Sequence, residues 1–191
     1  MSERWRCFVA VPLGDALRSA LSDCVAEWRR QPPADALRWV EPDAWHLTLA
    51  FHGSVDPDDL AGIEAAIRGV AFAHEPSEVA TGRLGAFHRP GSVRVLWYGV
   101  ADTAGQLAAL AGELAAALEI PGDEPFRAHV TLARARRRAV DLRGWIEGAA
   151  ESAPDGRIIV DSVELMRSHI GRGPARYETL ATMKLGVPAG V

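Results

Sequence analysis

The chain has 191 residues, a net charge of −4, 48% hydrophobic residues and two cysteines. That length buries a core without covalent staples. Cys7 and Cys24 form neither a C-x-x-C pair nor a metal-type spacing, so they are expected as small core residues in a reducing cytosol. The negative balance excludes a nucleic-acid binder working by bulk electrostatics alone. No apolar run approaches a membrane span and the first residues hold no apolar signal region, so a cytoplasmic protein with no membrane partner is expected.

Trp5 to Val11 (WRCFVAV) is an apolar run of strand formers, and Leu13, Leu17, Leu21, Val25 and Trp28 then repeat every four residues as the buried face of a helix. Pro32-Pro33 ends that helix, Leu37 to Val40 is a short strand, and His46 to Phe51 is a third β-type segment. Asp56-Pro57-Asp58-Asp59 has the composition of a helix start, with Leu60, Ile63 and Ile67 on the buried face behind it. Val79 to Phe87 returns as a strand.

The second half repeats this order. Val93 to Val100 is a strand, Thr103 is expected to cap a helix carrying Leu107, Leu110, Leu114 and Leu118, and His129 to Ala133 is a strand. A helix around Leu142, Trp145 and Ile146 precedes strands at Ile158 to Met166 and Tyr177 to Leu185. The expectation is an α+β protein of two similar lobes, about 1–90 and 91–191, forming one bilobal domain with strands open to exchange between lobes.

His46-Leu47-Thr48-Leu49 and His129-Val130-Thr131-Leu132 share one pattern. In a strand, side chains alternate faces, so each motif sets a histidine and a threonine side by side over an apolar backing. Two of six histidines meeting one of six threonines at the same spacing is hard to obtain by accident. A phosphodiester needs a base for the attacking oxygen, an acid for the leaving oxygen and donors for the non-bridging oxygens. Two histidines that titrate near neutrality fill the first two roles and two hydroxyls the third. A cyclic phosphate carries a strained leaving group, so the pattern calls for no metal or other cofactor.

Around these motifs stand Arg6 to Pro12, Trp39-Val40, Leu96 to Val100, Phe126 to Arg134 and Gly173 to Tyr177. In order and spacing the sequence resembles the two-histidine phosphoesterase superfamily, and within it the bacterial RNA 2′,3′-cyclic phosphodiesterases, the LigT-like or 2′-5′ RNA ligase family. The resemblance implies a bilobal fold with the motifs facing each other across a cleft. It implies His46 as general acid, His129 as general base, Thr48 and Thr131 as phosphate donors, and a 2′-phosphate product. It also implies a monomer acting on RNA or oligonucleotides with 2′,3′-cyclic phosphate ends, and reversible 2′-5′ joining. The near-identical motifs do not by themselves order the two histidines.

Phe51 and Arg134, each five residues after a motif histidine, are candidates for holding the base or phosphate, with Tyr177 as a further substrate contact. Strict parity puts Phe51 and Arg134 on the wrong face, so their use requires a bulge; otherwise they are a core Phe and a surface Arg. Arg134, Arg136, Arg137 and Arg138, with Arg167, Arg172 and Arg176, either hold a polyanion locally or are solvated turns. The chain departs from the family at Ala128, where Pro is common, and at Phe51-His52-Gly53. His52 reads as a loop residue near the cleft, and His74, His88 and His169 as surface or loop histidines. A zinc hydrolase using His46, His52 and His129 lacks any H-x-x-x-H or H-E-x-x-H spacing. A non-catalytic RNA-binding module and a phosphodiesterase for another 2′-5′ or small cyclic nucleotide also stand open at this point.

Overall fold

The computed structural model describes residues 3–32, 34–89, 92–121, 125–136, 142–169 and 175–187. Within them nine strands and four α-helices follow one another: β1 (Trp5–Pro12), α1 (Asp15–Trp28), β2 (Leu37–Trp39), β3 (His46–Val55), α2 (Leu60–Ala73), β4 (Ser77–Arg89), β5 (Ser92–Ala101), α3 (Gln106–Ala117), β6 (His129–Ala135), α4 (Arg143–Glu151), β7 (Gly156–Val160), β8 (Ser162–His169) and β9 (Arg176–Lys184). No helix among the described residues is long and apolar enough to cross a membrane. Pro33, Arg137, Arg138, Arg172, Gly173 and Pro174 fall outside the described residues.

The apolar spacing builds the helices. α1 buries Leu17, Leu21, Val25 and Trp28, and α2 buries Ile63, Ile67 and Ala71. Before α2, Pro57 opens a 3-10 turn whose Asp58 N–H donates to the Asp56 carboxylate at 3.3 Å. α3 starts differently from the expectation. Asp102, not Thr103, supplies the cap: its carboxylate accepts from the N–H groups of Leu107 at 3.1 Å and Ala108 at 2.8 Å. Gly105 takes φ +70, a left-handed turn that costs glycine little, and this carries the chain back so that Asp102 reaches the helix start.

The strands form one antiparallel sheet in the order β7-β4-β5-β6-β3-β1-β8-β9, with β2 added against β6. Ile158 to Met166 is not one strand, as its continuous apolar pattern suggests. It breaks at Asp161 into β7, which pairs with β4, and β8, which pairs with β1. The Asp161 carboxylate accepts from the Ser162 hydroxyl at 2.8 Å and from Lys184 Nζ at 2.9 Å, local bonds that compete with a continuous ladder. Val160 and Ser162 are separated by a single residue in the chain yet belong to opposite sides of the sheet, so the sheet curls until its two sides approach.

The sheet has two four-stranded halves, β9-β8-β1-β3 and β7-β4-β5-β6, which meet at the pairing of Leu47 with Val130, both fully buried. A cut at residue 90 does not separate them, because β2 and β4 come from the first half of the chain and lie in the second half of the sheet. The helices are exchanged as well. On one side Trp28 Nε1–H of α1 donates to the Ser152 hydroxyl just past α4 at 3.0 Å, and on the other α3 packs on α2 and β3.

The cap assignment is checked by denaturant unfolding. Asp102→Ala should lower stability by about 1 kcal/mol, the usual worth of a cap, while Thr103→Ala stays within about 0.5 kcal/mol of the parent.

Candidate active site

β3 and β6 lie side by side at the centre of the sheet, each opening on a motif histidine. One register step either side of the Leu47–Val130 pair, His46 faces Thr131 and Thr48 faces His129. All four side chains are half-buried on one face, while Leu47, Leu49, Val130 and Leu132 point into the core. The motifs are thus interleaved, each histidine opposite the other motif's threonine.

Both strands then break parity at the same place. Ala50 pairs with Val9 and Thr48 with Ala10, which leaves Leu49 as an extra residue; Ala133 pairs with Leu96 and Thr131 with Trp97, which leaves Leu132. The burial sequence is the same from each histidine onward: half-buried, buried, half-buried, buried, buried, exposed. These paired bulges return Phe51 and Arg134 to the histidine face, as their use requires.

Each ring is held by the same device. His46 Nδ1–H donates to the Ala44 carbonyl at 2.9 Å, and His129 Nδ1–H donates to the Arg127 carbonyl at 2.7 Å. A carbonyl only accepts, so the proton sits on Nδ1 and Nε2 of the neutral ring keeps its lone pair. Aromatic walls fix the ring planes. His46 stands 4.8 Å from Phe8 and edge-on to Tyr177 at 5.0 Å, with Phe8 and Tyr177 5.2 Å apart. His129 stands edge-on to Phe87 at 4.9 Å, and Phe87 leans on Trp97 at 5.6 Å.

Gly85 makes room for that second wall: a Cβ there would lie 2.3 Å from the Trp97 ring. Sequence reasoning misses Phe8, Phe87 and Trp97. Glycines inside strands, Gly85 and Gly99 packed around Trp97, are the one signal that could point to this wall.

A cleft of about 900 Å³ opens over this face. It is lined by His46, Thr48, Thr131, Arg134 and Tyr177, and continues past Arg38, Arg136 and His169. His129 and Phe51 are not among the lining residues; His129 joins through its place opposite Thr48, and Phe51 is 45% exposed with the Arg6 guanidinium 4.6 Å above its ring. Two histidines differ from their expected place. His52 lies within β3 rather than in a loop, and His169 at the end of β8 lines the cleft, 2.9 Å from the Glu178 carboxylate. His74 follows α2 and lies 3.1 Å from Glu113, and His88 is exposed on β4. Cys7 is buried in β1, and Cys24 on α1 donates to the Ser152 carbonyl at 3.3 Å. Among the described residues no group of three or more His, Cys, Asp or Glu is placed to hold a metal ion.

Burial pushes the His46 pKa down to about 4, with the charges of His129 and Arg134 adding to the effect and the Ala44 carbonyl opposing it. Burial, and then Arg134, also lowers that of His129, against the Arg127 carbonyl. At neutral pH both Nε2 atoms are therefore unprotonated acceptors, that of His46 on a ring lining the basic cleft, an arrangement suited to an anionic ligand that brings negative charge against them.

Residues 11–97 match the family model described as LigT like Phosphoesterase. An Archaeoglobus fulgidus protein named RNA 2′,3′-cyclic phosphodiesterase is 35% identical over 136 residues, which is 70% of this chain and 74% of the relative. This chain belongs to the LigT-like phosphoesterase family. The crystal structure of TT0787 from Thermus thermophilus superposes with a TM-score of 0.75 at 26% identity, covering 95% of this chain and 98% of that one. Apo Escherichia coli LigT superposes with a TM-score of 0.71, also at 26% identity, covering 96% and 99%. The same E. coli protein has been crystallised with phosphate and with 3′-AMP. The α+β fold, with a curled antiparallel sheet and four helices, is that of these LigT structures.

The lowered histidine pKa values make the fold acid-sensitive. An unfolded histidine takes up a proton near 6.5 and folded His46 only near 4, so this part of the stability is complete above pH 6.5 and is lost as pH falls through 4. Thermal unfolding between pH 7 and 4.5 should show Tm falling on acidification, and His46→Gln should flatten that fall. An equal slope in both proteins would show that His46 titrates normally.

Proposed function

We propose that this chain hydrolyses the 2′,3′-cyclic phosphate ends of RNA to 2′-phosphomonoesters by acid-base catalysis with His46 and His129, without a metal. The observation that carries the reading is the paired anchoring of the two rings. Each Nδ1–H is tied to the carbonyl two residues earlier, so each Nε2 is the reactive nitrogen, on neighbouring strands and on one face. The relative's name and the 3′-AMP and phosphate complexes of E. coli LigT support the substrate class.

In the proposed step His129 Nε2 takes a proton from water as its oxygen bonds to phosphorus. The bond from phosphorus to the 3′ oxygen breaks, and His46 Nε2–H delivers its proton to that oxygen, leaving a free 3′-hydroxyl and a 2′-phosphate. Thr48 and Thr131 donate to the non-bridging oxygens, where charge accumulates. Arg134 adds positive charge to the cleft beside the two histidines, Tyr177 borders the nucleotide beside His46, and Phe51 offers a ring face to a base. With a 5′-hydroxyl in place of water the same geometry joins two ends through a 2′-5′ bond, and its reverse cleaves that bond. The order of acid and base follows the family resemblance.

An acid with a pKa of about 4 holds no proton at neutral pH in the ligand-free protein. The bound phosphodiester removes this difficulty, because a negative charge against Nε2 favours the imidazolium. Titration of the His46 ring by NMR should therefore move upward when inorganic phosphate or 2′-AMP is added, and an unmoved titration would contradict its role as acid. The pH profile of turnover should be bell-shaped, its limbs belonging to the coupled pair.

The direct test incubates the protein with nucleoside 2′,3′-cyclic phosphates in excess chelator and identifies the monoester formed. The 2′-phosphate is expected, and loss of turnover on chelation would remove the metal-independent reading. His46→Ala and His129→Ala should each lower turnover about 10²–10⁴-fold with folding intact. The double variant should lose less than the product of the two, since both groups act in one step.

A further inference from the structure

The short strand β2 sets Arg38 directly opposite Arg134 of β6. Like charges so placed repel and weaken a strand pair. Both side chains are exposed and both line the cleft, as does exposed Arg136, two residues on and on the same face as Arg134. None of the three pairs with a carboxylate among the described residues. Of the two acids that share the cleft wall, Glu41 is held at 3.4 Å by Arg29 instead, and Asp35 pairs with no cation among the described residues. A chain of net charge −4 thus keeps three unneutralised guanidinium groups together, two of them in mutual opposition. Violations of local pairing rules concentrate where a ligand supplies the missing partner.

We propose that Arg38, together with Arg134 and Arg136, clamps the internal phosphodiester on the 5′ side of the terminal nucleotide, so that the preferred substrate is an RNA strand rather than a cyclic mononucleotide. This rests on the phosphodiesterase reading above and extends it to a second phosphate. Two magnitudes support the placement. With Leu132 bulged out, Thr131 and Arg134 are two regular strand steps apart, about 7 Å, which sets Arg134 beyond the threonine that faces the reacting phosphate. The cleft of about 900 Å³ lies near the upper end of the usual size of small-ligand sites, with room beyond the reacting nucleotide. Guanidinium groups on two strands can grip one phosphate from both sides with charge-assisted bonds, and the anion then screens their repulsion.

The test compares Arg38→Gln with the parent on a cyclic mononucleotide and on a dinucleotide ending in a 2′,3′-cyclic phosphate. The parent should favour the dinucleotide, and the substitution should lower the dinucleotide-to-mononucleotide ratio of kcat/KM about tenfold at low salt. Its binding to the dinucleotide should also lose about one unit of salt slope. In the absence of ligand Arg38→Gln should keep or raise Tm, because it removes a repulsion; a residue of merely structural value would lower it. An unchanged kcat/KM ratio, or a parent indifferent to the second nucleotide, overturns the clamp. If the parent turns over neither substrate, the phosphodiesterase reading fails separately. The clamp is then judged by equilibrium binding of an unreactive dinucleotide 3′-phosphate, where equal Kd for parent and variant overturns it.

Discussion

The contact between Leu47 and Val130 is where the two halves of the sheet become one. It is the pairing that joins β3 to β6, and both side chains are removed entirely from water. Everything in the site depends on its register. A shift of one residue would turn the slipped strand's histidine and threonine into the core and its apolar residues outward, at a large penalty in buried apolar area and unpaired polar groups. The core therefore holds the histidine face in place: hydrophobic burial on one side of the pair fixes which groups meet on the other.

The paired bulges refine this arrangement. Regular strands would give each motif two outward positions, a histidine and a threonine, and then bury the residue five places on. With Leu49 and Leu132 inserted as extra residues, each strand delivers a third side chain to the same face. The two halves use it differently. One supplies Phe51, a ring under Arg6, and the other supplies Arg134, a charge beside the two histidines that helps lower their pKa values. Near-symmetry in the backbone thus ends in chemical asymmetry, which the proposed hydrolysis, with its distinct entering and leaving oxygens, requires.

Much of this is legible in the chain itself. The repeated motifs, the leucine spacing of the helices and the parity of the two central strands follow from periods of 2.0 and 3.6, and those periods are local. What is not legible depends on contacts between distant segments. Nothing in Leu49-Ala50 or Leu132-Ala133 marks a bulge, since all four residues suit a regular buried strand. Asp161 carries little sign that the chain changes sides there, because its partners Lys184 and Leu185 lie more than twenty positions on. Phe8 is hidden in a run so uniformly apolar that no alternation separates its two faces. Thr103 is a good helix cap by type, but the left-handed turn at Gly105 moves the helix start out of its reach.

The exchange of strands between the halves also governs how the molecule is made. Among the described strands β1 leaves the ribosome before its partners, and β3 follows soon after. Its other partner, β8, begins only at Ser162, and β9 must still join β8 beyond that. β1 therefore waits with one edge unpaired until the chain has emerged past Ser162. Such long-range pairing slows folding and leaves a sticky edge open meanwhile. The nascent chain is then most vulnerable to misassociation while both histidine strands are already out and β8 and β9, which close the first half of the sheet, are still in the exit tunnel.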